Sequence, residues 1–247
     1  LDQIEIMTNP PAKYDAAGNA GIINIKTKKN KIFGLNGSFT TGYSQGIYAG
    51  NNDNFNINYR KNKINLFGNV TYNHNKRAQE LYIDRKFMDS ATKNITSLFS
   101  QRNSMVNIND YYAVKAGMDY TIDKKNTIGF VLSNSINPGD FNSIGAINIS
   151  NPADVLQSQT AAKSLSHQQW NNYSTNVNFR HQFDSAGKEL TGDFDYINYA
   201  SSNHQQVSNQ YYNPNGTVLM PADTLLGNLP QNITIYSMKL DYAMPLK

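Results

Sequence analysis

The 247-residue chain contains no cysteine, so disulfides, zinc–thiolate sites and thiol nucleophiles are excluded. It also lacks any run of about 18 apolar residues, which excludes a transmembrane helix. Charged residues make up only 16% of the chain, and the net charge of +4 is spread without a basic cluster. We therefore expect no nucleic-acid partner.

Tyrosine, phenylalanine and small polar residues are what the sequence has in abundance. There are 16 Tyr and 11 Phe but a single Trp, and the mean hydropathy is −0.58. Such a composition favours strands and turns over helices. A low mean hydropathy does not exclude a membrane barrel, because a barrel strand of about 9–11 residues turns only every second side chain to lipid.

Apolar and polar residues alternate along most of the chain after residue 34, which predicts strands with two different faces. In one segment Phe55, Ile57 and Tyr59 share a face, and the asparagines between them share the other. Phe67 is an exception, since it falls among polar residues. The alternation predicts roughly eight strands. Their segments are 34–43, 54–59, 64–72, 112–122, 128–132, 173–180, 190–196 and 236–242.

The predicted connections differ sharply in length. Those at 61–63, 123–126 and 184–188 are short and polar, and the one near 44–52 is also short. Those at 73–109, 137–170 and 200–232 are long. Short turns at one end and long loops at the other are typical of an outer-membrane barrel. A soluble antiparallel sandwich shows the same alternation, but several long irregular loops count against it.

Aromatic residues gather where the predicted strands meet their connections, which resembles the girdles at the two membrane interfaces. They are Tyr43, Tyr59, Tyr72, Tyr111, Tyr112, Tyr173, Tyr199 and Tyr242. A general preference of aromatics for strands is the alternative. The single tryptophan, Trp170, has two interpretations: a surface that stacks on a sugar, or an interface anchor.

Several polar residues of the predicted strands are candidates for a wall that faces a barrel lumen. They are Lys115, Asp119, Asn176, Arg180, Asp193, Asp195 and Lys239. One interpretation is a hydrophilic surface that contacts a plug or a passing ligand. The other is that a wet lumen tolerates polar side chains, with charges paired across strands.

The sequence contains no pattern that indicates catalysis. The four histidines are scattered without metal-ligand spacing, and nucleophile-elbow, phosphate-loop and dinucleotide motifs do not occur. We expect no catalytic residues, no metal site and no cofactor, and hence no enzyme.

Residues 1–34 depart from the alternating pattern and carry an ordered motif of two short strands around a turn. Its residues are Ile4, Glu5, Ile6, Asn9, Pro10, Tyr14, Gly18, Gly21, Ile22, Ile23, Asn24 and Ile25. This motif resembles the C-terminal end of the plug domain in TonB-dependent outer-membrane receptors, in the branch of outer-membrane β-barrel family proteins. The resemblance covers the first thirty-odd residues by motif and the remainder by architecture.

The resemblance implies that residues 1–34 end a plug domain and that 35–247 begin a larger transmembrane barrel, the plugged 22-stranded class. It implies the outer membrane of a Gram-negative bacterium, with lipid, the TonB system and a scarce nutrient as partners. The nutrient could be a ferric chelate, an oligosaccharide or a peptide. We expect a fragment of a longer protein. The alternatives are a small eight-stranded structural or adhesive barrel and a soluble β-sandwich binding module.

Overall fold

The computed structural model of the chain describes residues 3–7, 21–26, 33–184 and 187–244, and these residues form an all-β structure. No helix in this part of the chain is long and apolar enough to cross a membrane. The strands form two separate antiparallel sheets, one with two strands and one with nine.

The small sheet contains β1 (Gln3–Met7) and β2 (Ile22–Lys26). They pair antiparallel, with Gln3 opposite Lys26 and Met7 opposite Ile22. The two N-terminal strands predicted from the motif are therefore present and paired. The motif residues Asn9, Pro10, Tyr14 and Gly18 lie outside the described residues.

The large sheet is a meander in which each strand pairs antiparallel with the next. Its strands are β3 (Gly34–Gln45), β4 (Ala49–Lys61), β5 (Ile64–Met88), β6 (Ile95–Thr121), β7 (Asn126–Ser150), β8 (Leu156–Gln182), β9 (Glu189–Tyr212), β10 (Val218–Asn228) and β11 (Gln231–Ala243). Only the last step differs, because β10 and β11 both pair with β9.

The strands β10 and β11 lie end to end along the same side of β9. β10 pairs with residues 204–212 of β9, and β11 pairs with residues 189–201. The Leu229 N–H donates to the carbonyl of Asn203 at 2.9 Å, so the ladder reaches the break. Pro230 follows, and it has no N–H to donate. Counted as one interrupted strand, β10 and β11 bring the large sheet to eight, the number predicted from the alternation.

The three long loops predicted from the sequence are wrong. Residues 73–109, 137–170 and 200–232 are mostly strand, because β5 to β10 continue far beyond the alternating segments. The connections there are only 89–94, 151–155 and 213–217. The reason is that a strand with water on both faces does not require apolar residues at alternate positions. The ladder then continues through polar sequence such as Asn75-Lys76-Arg77 without a readable period.

The predicted tight turns at the other end of the strands are present where the structure describes them. Asn62 adopts a positive φ of 51° between β4 and β5. Asp123 accepts hydrogen bonds from the backbone N–H of Lys125 at 2.7 Å and of Asn126 at 2.9 Å, which closes the turn into β7. The turn at 184–188 is described only in part, with Gly187 at a φ of 100°.

The large sheet is a single layer without a core. In the described ranges no hydrophobic side chain is buried, and no second sheet packs on the first. This arrangement contradicts the sandwich, whose two sheets bury their inner faces against each other. Among the same residues, β3 and the β10–β11 line pair on one side only, so the sheet is not closed into a barrel.

Candidate functional site: the two faces of the wall

The register sorts the side chains of the large sheet into an apolar face and a polar face. Across β4, β5 and β6, Phe55 lies opposite Val70, and Val70 opposite Val114, all on the apolar face. The Val114 side chain is 52% exposed, and its neighbour on β7 is Asn134, a polar residue on this face. On β7 this face runs from Ile128 to Ile136, about nine residues, the length with which a tilted strand crosses a bilayer.

Tyrosines mark one end of the apolar face. The rings of Tyr72 and Tyr112 stack with centroids 5.0 Å apart. Further along the sheet, the ring centroid of Tyr196 lies 6.1 Å from that of Tyr173 and 5.2 Å from that of Tyr236. Such rows suit the interface between hydrocarbon and water, where an aromatic body and a polar hydroxyl are both accommodated.

Two of the predicted girdle residues are on the wrong face for that role. Six lie on the apolar face: Tyr43, Tyr59, Tyr72, Tyr112, Tyr173 and Tyr242. Tyr111 and Tyr199 lie on the polar face instead, aligned with Asn73 and Asn172. Successive residues of a strand point to opposite faces, so a cluster of tyrosines in the sequence divides between them.

All seven candidate lumen residues fall on the polar face. They are Lys115 and Asp119 on β6, Asn176 and Arg180 on β8, Asp193 and Asp195 on β9, and Lys239 on β11. On β6 most side chains of this face are half-buried, whereas Tyr112, Val114, Met118 and Tyr120 on the other face are exposed. The difference indicates that the sheet curves toward its polar face. That these residues line a lumen stays a prediction.

The structure brings some of the seven together. Asn176 donates to Asp195 at 2.7 Å, and Asp193 lies directly opposite Lys239. Arg180 donates two hydrogen bonds to one carboxylate oxygen of Glu189, at 2.6 and 3.0 Å. Lys115 and Asp119 lie four residues apart on the same strand. Some of these charged groups are therefore paired with groups on neighbouring strands, as expected of a surface in contact with water.

Asparagines form a closed ring of hydrogen bonds on the polar face of β4 and β5. Asn54 donates to Thr71 at 2.8 Å, Thr71 to Asn69 at 3.2 Å, and Asn69 to Asn56 at 2.7 Å. Asn56 completes the ring by donating to Asn54. An amide both donates and accepts, so this part of the wall is hydrophilic without carrying charge.

Phe67, the exception in the alternating pattern, lies on the polar face opposite Gly117 of β6. Its ring covers the glycine so closely that a Cβ on Gly117 would overlap it. A large aromatic therefore fits among polar residues because its cross-strand neighbour has no side chain. Sequence alone did not reveal this pairing, since the two residues are 50 positions apart.

Trp170 lies on the polar face, directly opposite Asn137 of β7 and Ser201 of β9. This placement counts against the interface-anchor interpretation, because an anchor is expected on the apolar face. The side chain is 43% exposed. Tyr111 and Tyr199 share its face.

Beyond the apolar band, the extended β5–β6 hairpin is held by polar and aromatic pairs. Arg102 donates to Asp84 at 2.8 Å and lies over the ring of Tyr82 at 5.1 Å. The hydrogen bond from Arg102 holds the pKa of the Asp84 carboxyl below its usual value. Nearer the tip, Phe87 and Phe99 meet edge to face at 6.5 Å.

Three of the four histidines have one polar side-chain partner each. His74 contacts Asp110 and His167 contacts Asp140, each at 2.7 Å, and His181 contacts Asn126 at 2.7 Å. Over the described ranges, no three His, Cys, Asp or Glu residues are placed to hold a metal ion. The pairs lie on separate parts of the wall and form no common site.

Comparison with known proteins supports the membrane assignment over the last quarter of the chain. The model of the outer membrane protein beta-barrel family matches residues 181–247, which include β9, β10 and β11. No curated protein matches the chain. The large antiparallel sheet with one apolar face, together with this family match over residues 181–247, supports a β-barrel protein of the outer membrane.

Proposed function

We propose that the chain is part of a TonB-dependent receptor that imports a scarce nutrient across the outer membrane. The observation that carries the proposal is the N-terminal motif, whose two strands β1 and β2 pair with each other in a sheet of their own. A plug is a domain distinct from the wall that surrounds it. A barrel without a plug needs no such second sheet.

The large sheet supports the same proposal through its edges and its curvature. In the described residues, β3 and the β10–β11 line each leave one edge unpaired, and unpaired edges are not tolerated in a bilayer. Further strands would close such a sheet into a wide barrel, as in the plugged 22-stranded transporters. The polar face, with its amide ring and paired charges, would then surround the plug.

Transport of this kind needs binding and gating but no covalent chemistry. The ligand is held on the extracellular side, the TonB system pulls on the plug, and the hydrophilic wall allows a polar nutrient to pass. The proposal therefore includes no catalytic residue and no cofactor. The ligand is a ferric chelate, an oligosaccharide or a peptide.

A small eight-stranded barrel with a structural or adhesive role is the second candidate. The count of eight wall strands favours it, since eight strands can close on themselves. Closure would require β3 to pair with the β10–β11 line, which the described residues do not do. In such a barrel the polar face would surround side chains and not a separate domain.

Removal of the proposed plug segment tests the two candidates against each other. The full-length protein and a variant lacking residue 33 and all of the plug before it are reconstituted in planar bilayers, and single-channel conductance is measured. A plugged receptor is expected to conduct little, and the deletion is expected to open a large pore. Equal, small conductance of both proteins would support the eight-stranded barrel.

Dependence on TonB is tested separately in the native host. Growth on limiting nutrients is compared between the parent strain, a strain lacking the gene and a strain lacking TonB. The proposal predicts that loss of either protein abolishes growth on the same nutrient. Uptake that continues without TonB would contradict it.

A further inference from the structure

Three aromatic side chains interrupt the amides of the polar face at the level where β6 to β9 leave the apolar band. Trp170 of β8 lies directly opposite Asn137 of β7. Tyr111 of β6 lies at the same level on the other side of β7, between the pairs Asn109–Gly139 and Tyr112–Ile136. In the next row, Tyr199 of β9 lies directly opposite Asn172 of β8. Aromatic and amide groups therefore lie next to each other both along β8 and across the strands.

The amides in this cluster have unused acceptors. The side-chain oxygens of Asn137 and Asn172 are shielded from solvent and have no hydrogen-bond partner within the described ranges. Asn172 donates to the Ser135 hydroxyl only at 3.5 Å. Buried acceptors are ordinarily paired, so these two oxygens favour a molecule that brings hydrogen-bond donors.

A cavity of about 350 Å³ opens between the same strands. Its lining includes Tyr111, Ser135, Asn172 and Tyr199 together with the apolar Val114 and Ile197, and Lys115 is its only charged residue. Trp170 and Asn137 lie one row beyond the cavity on the same face. The volume is within the range of small-ligand sites, about 300–1,000 Å³. A lining of aromatic, amide and hydroxyl groups with one charge suits an uncharged, polyhydroxylated molecule.

We propose that this cluster binds a neutral oligosaccharide. The sugar rings stack on Trp170, Tyr111 and Tyr199, and the amides of Asn137 and Asn172 turn toward the ligand so that their oxygens accept from its hydroxyls. Stacking uses the apolar face of a sugar ring, and the amides recognise its rim. The inference rests on the proposed receptor function and narrows its three nutrient classes to one.

The other two classes fit the cluster less well. A ferric chelate is commonly anionic and would need several cations, whereas Lys115 is the one cation of the cavity. A peptide presents its own amide pairs and charged ends, and the cavity offers no acidic group for an amino terminus. A neutral sugar requires neither several cations nor an acidic group.

The test is binding to the purified full-length protein in detergent. The probes are an array of neutral oligosaccharides built from hexose, pentose and deoxyhexose units, followed by calorimetry on those that bind. Trp170→Ala is expected to weaken binding about tenfold, the effect of one lost stacking surface of about 1.4 kcal/mol. Trp170→Phe should retain most of the affinity, because a stacking ring remains.

Tyr111 and Tyr112 provide a matched pair of variants. They are neighbours on β6 that point to opposite faces, so Tyr111→Ala should weaken sugar binding and Tyr112→Ala should leave it within about twofold. Folding of each variant is checked by its shift on unheated gels. Absence of binding to every neutral oligosaccharide would overturn the inference, as would equal affinities of folded Trp170→Ala and the parent protein.

The outcome is separable from that of the proposed function. Sugar binding that depends on Trp170, with uptake that does not need TonB, would reject the receptor mechanism and keep the site. TonB-dependent uptake of a chelate or peptide, without sugar binding, would keep the receptor and reject the site. If Trp170→Ala instead raises pore conductance and changes no affinity, the cluster holds the plug and the inference fails.

Discussion

At the scale of single residues, the face of the sheet to which a side chain points decides its surroundings, and this face alternates from one residue of a strand to the next. Tyr111 and Tyr112 are adjacent in the sequence, yet one faces amides and the other stacks on Tyr72 in the apolar band. The same alternation places Trp170 on the polar face. Composition and clustering suggest a role for such residues, but the register determines it.

The pair of Phe67 and Gly117 gives a residue-scale prediction. Gly117→Ala should destabilise the protein by about 1–3 kcal/mol, because the new methyl group overlaps the ring of Phe67. In a Phe67→Ala background the same change should be neutral or stabilising, since alanine is less flexible than glycine. A double-mutant cycle measured by denaturant unfolding in lipid vesicles provides the comparison.

Gly192→Ala is the matched control for this cycle. A Cβ at Gly192 would meet only ordinary contacts, the nearest being Leu240 at 3.5 Å. The substitution should be tolerated in both backgrounds. If Gly117→Ala costs the same with and without the Phe67 ring, the ring is not what limits that position.

At the scale of elements, the long hairpins are the main feature that the sequence did not reveal. β6 has 27 residues, of which only about ten cross the bilayer. The remainder continues as a paired ladder with β5 beyond the membrane. The connections at that end therefore continue the sheet itself, from β5 to β10, and end in short tips.

A disulfide tests this extension directly, and the natural chain contains no cysteine to interfere. Glu80 and Ser104 are directly opposite in the β5–β6 ladder and exposed. Their Cα atoms should be about 4.5–5.5 Å apart, a distance that a disulfide can span. Glu80→Cys combined with Ser104→Cys should therefore cross-link readily under mild oxidation, as measured on non-reducing gels after cleavage between the two positions.

The control pair is Glu80→Cys with Ser100→Cys. Ser100 is on the same face but pairs with Asp84, which places it four residues along the ladder, about 13 Å away. A regular hairpin should not cross-link this pair. Similar yields for both pairs would indicate an irregular loop.

The tip of the same hairpin predicts a pH dependence. Hydrogen bonds from the backbone N–H and hydroxyl of Thr92 and from the N–H of Ala91 hold the pKa of the Asp89 carboxyl below its usual value. A depressed pKa contributes stability that is present above the unfolded-state pKa and is lost as pH falls through the folded one. The tip should therefore stay closed at neutral pH and loosen only in strong acid.

Carboxyl-carbon NMR of protein labelled at aspartate measures this titration. The Asp89 signal, identified by its loss in Asp89→Asn, should have a midpoint below 3.8, the usual value for aspartate. The asparagine variant should also remove the acid-induced loosening of the tip. A midpoint at or above the usual value would contradict the turn geometry.

At the scale of the whole molecule, the wall has no interior to stabilise it. No hydrophobic side chain is buried in the described ranges, and the sheet is one layer thick. The backbone ladder and cross-strand side-chain pairs supply the interstrand contacts, and the apolar face is stable only against lipid. A fold of this kind depends on its solvent more than on side-chain packing.

Opposite faces of one strand provide the corresponding prediction. Val114→Lys places a charge on the apolar face two residues inside Tyr112, and it should lower the free energy of unfolding in lipid vesicles by about 1–2 kcal/mol, between the interface and midplane values. Ala113→Lys, one residue away on the polar face, should have little effect. Chemical unfolding in vesicles measures both variants. Equal losses would mean that the two faces do not differ in environment.

Much of the wall follows from the sequence alone. Alternation identified the membrane-crossing segments, because lipid imposes apolar residues on every second position. Tight turns were predictable from polar runs such as 61–63 and 123–126, since these residues favour turn conformations. The N-terminal motif, likewise local in sequence, indicated the two short strands that pair as β1 and β2.

Only the tertiary structure showed that the strands continue outside the membrane and which residues pair across the sheet. The outer parts of β5 to β10 carry no alternation because water contacts both of their faces, so their strands could not be predicted from period. Pairings such as Phe67 with Gly117, or Tyr199 with Asn172, join residues far apart in sequence. They depend on the register, which the backbone ladder sets and local sequence does not encode.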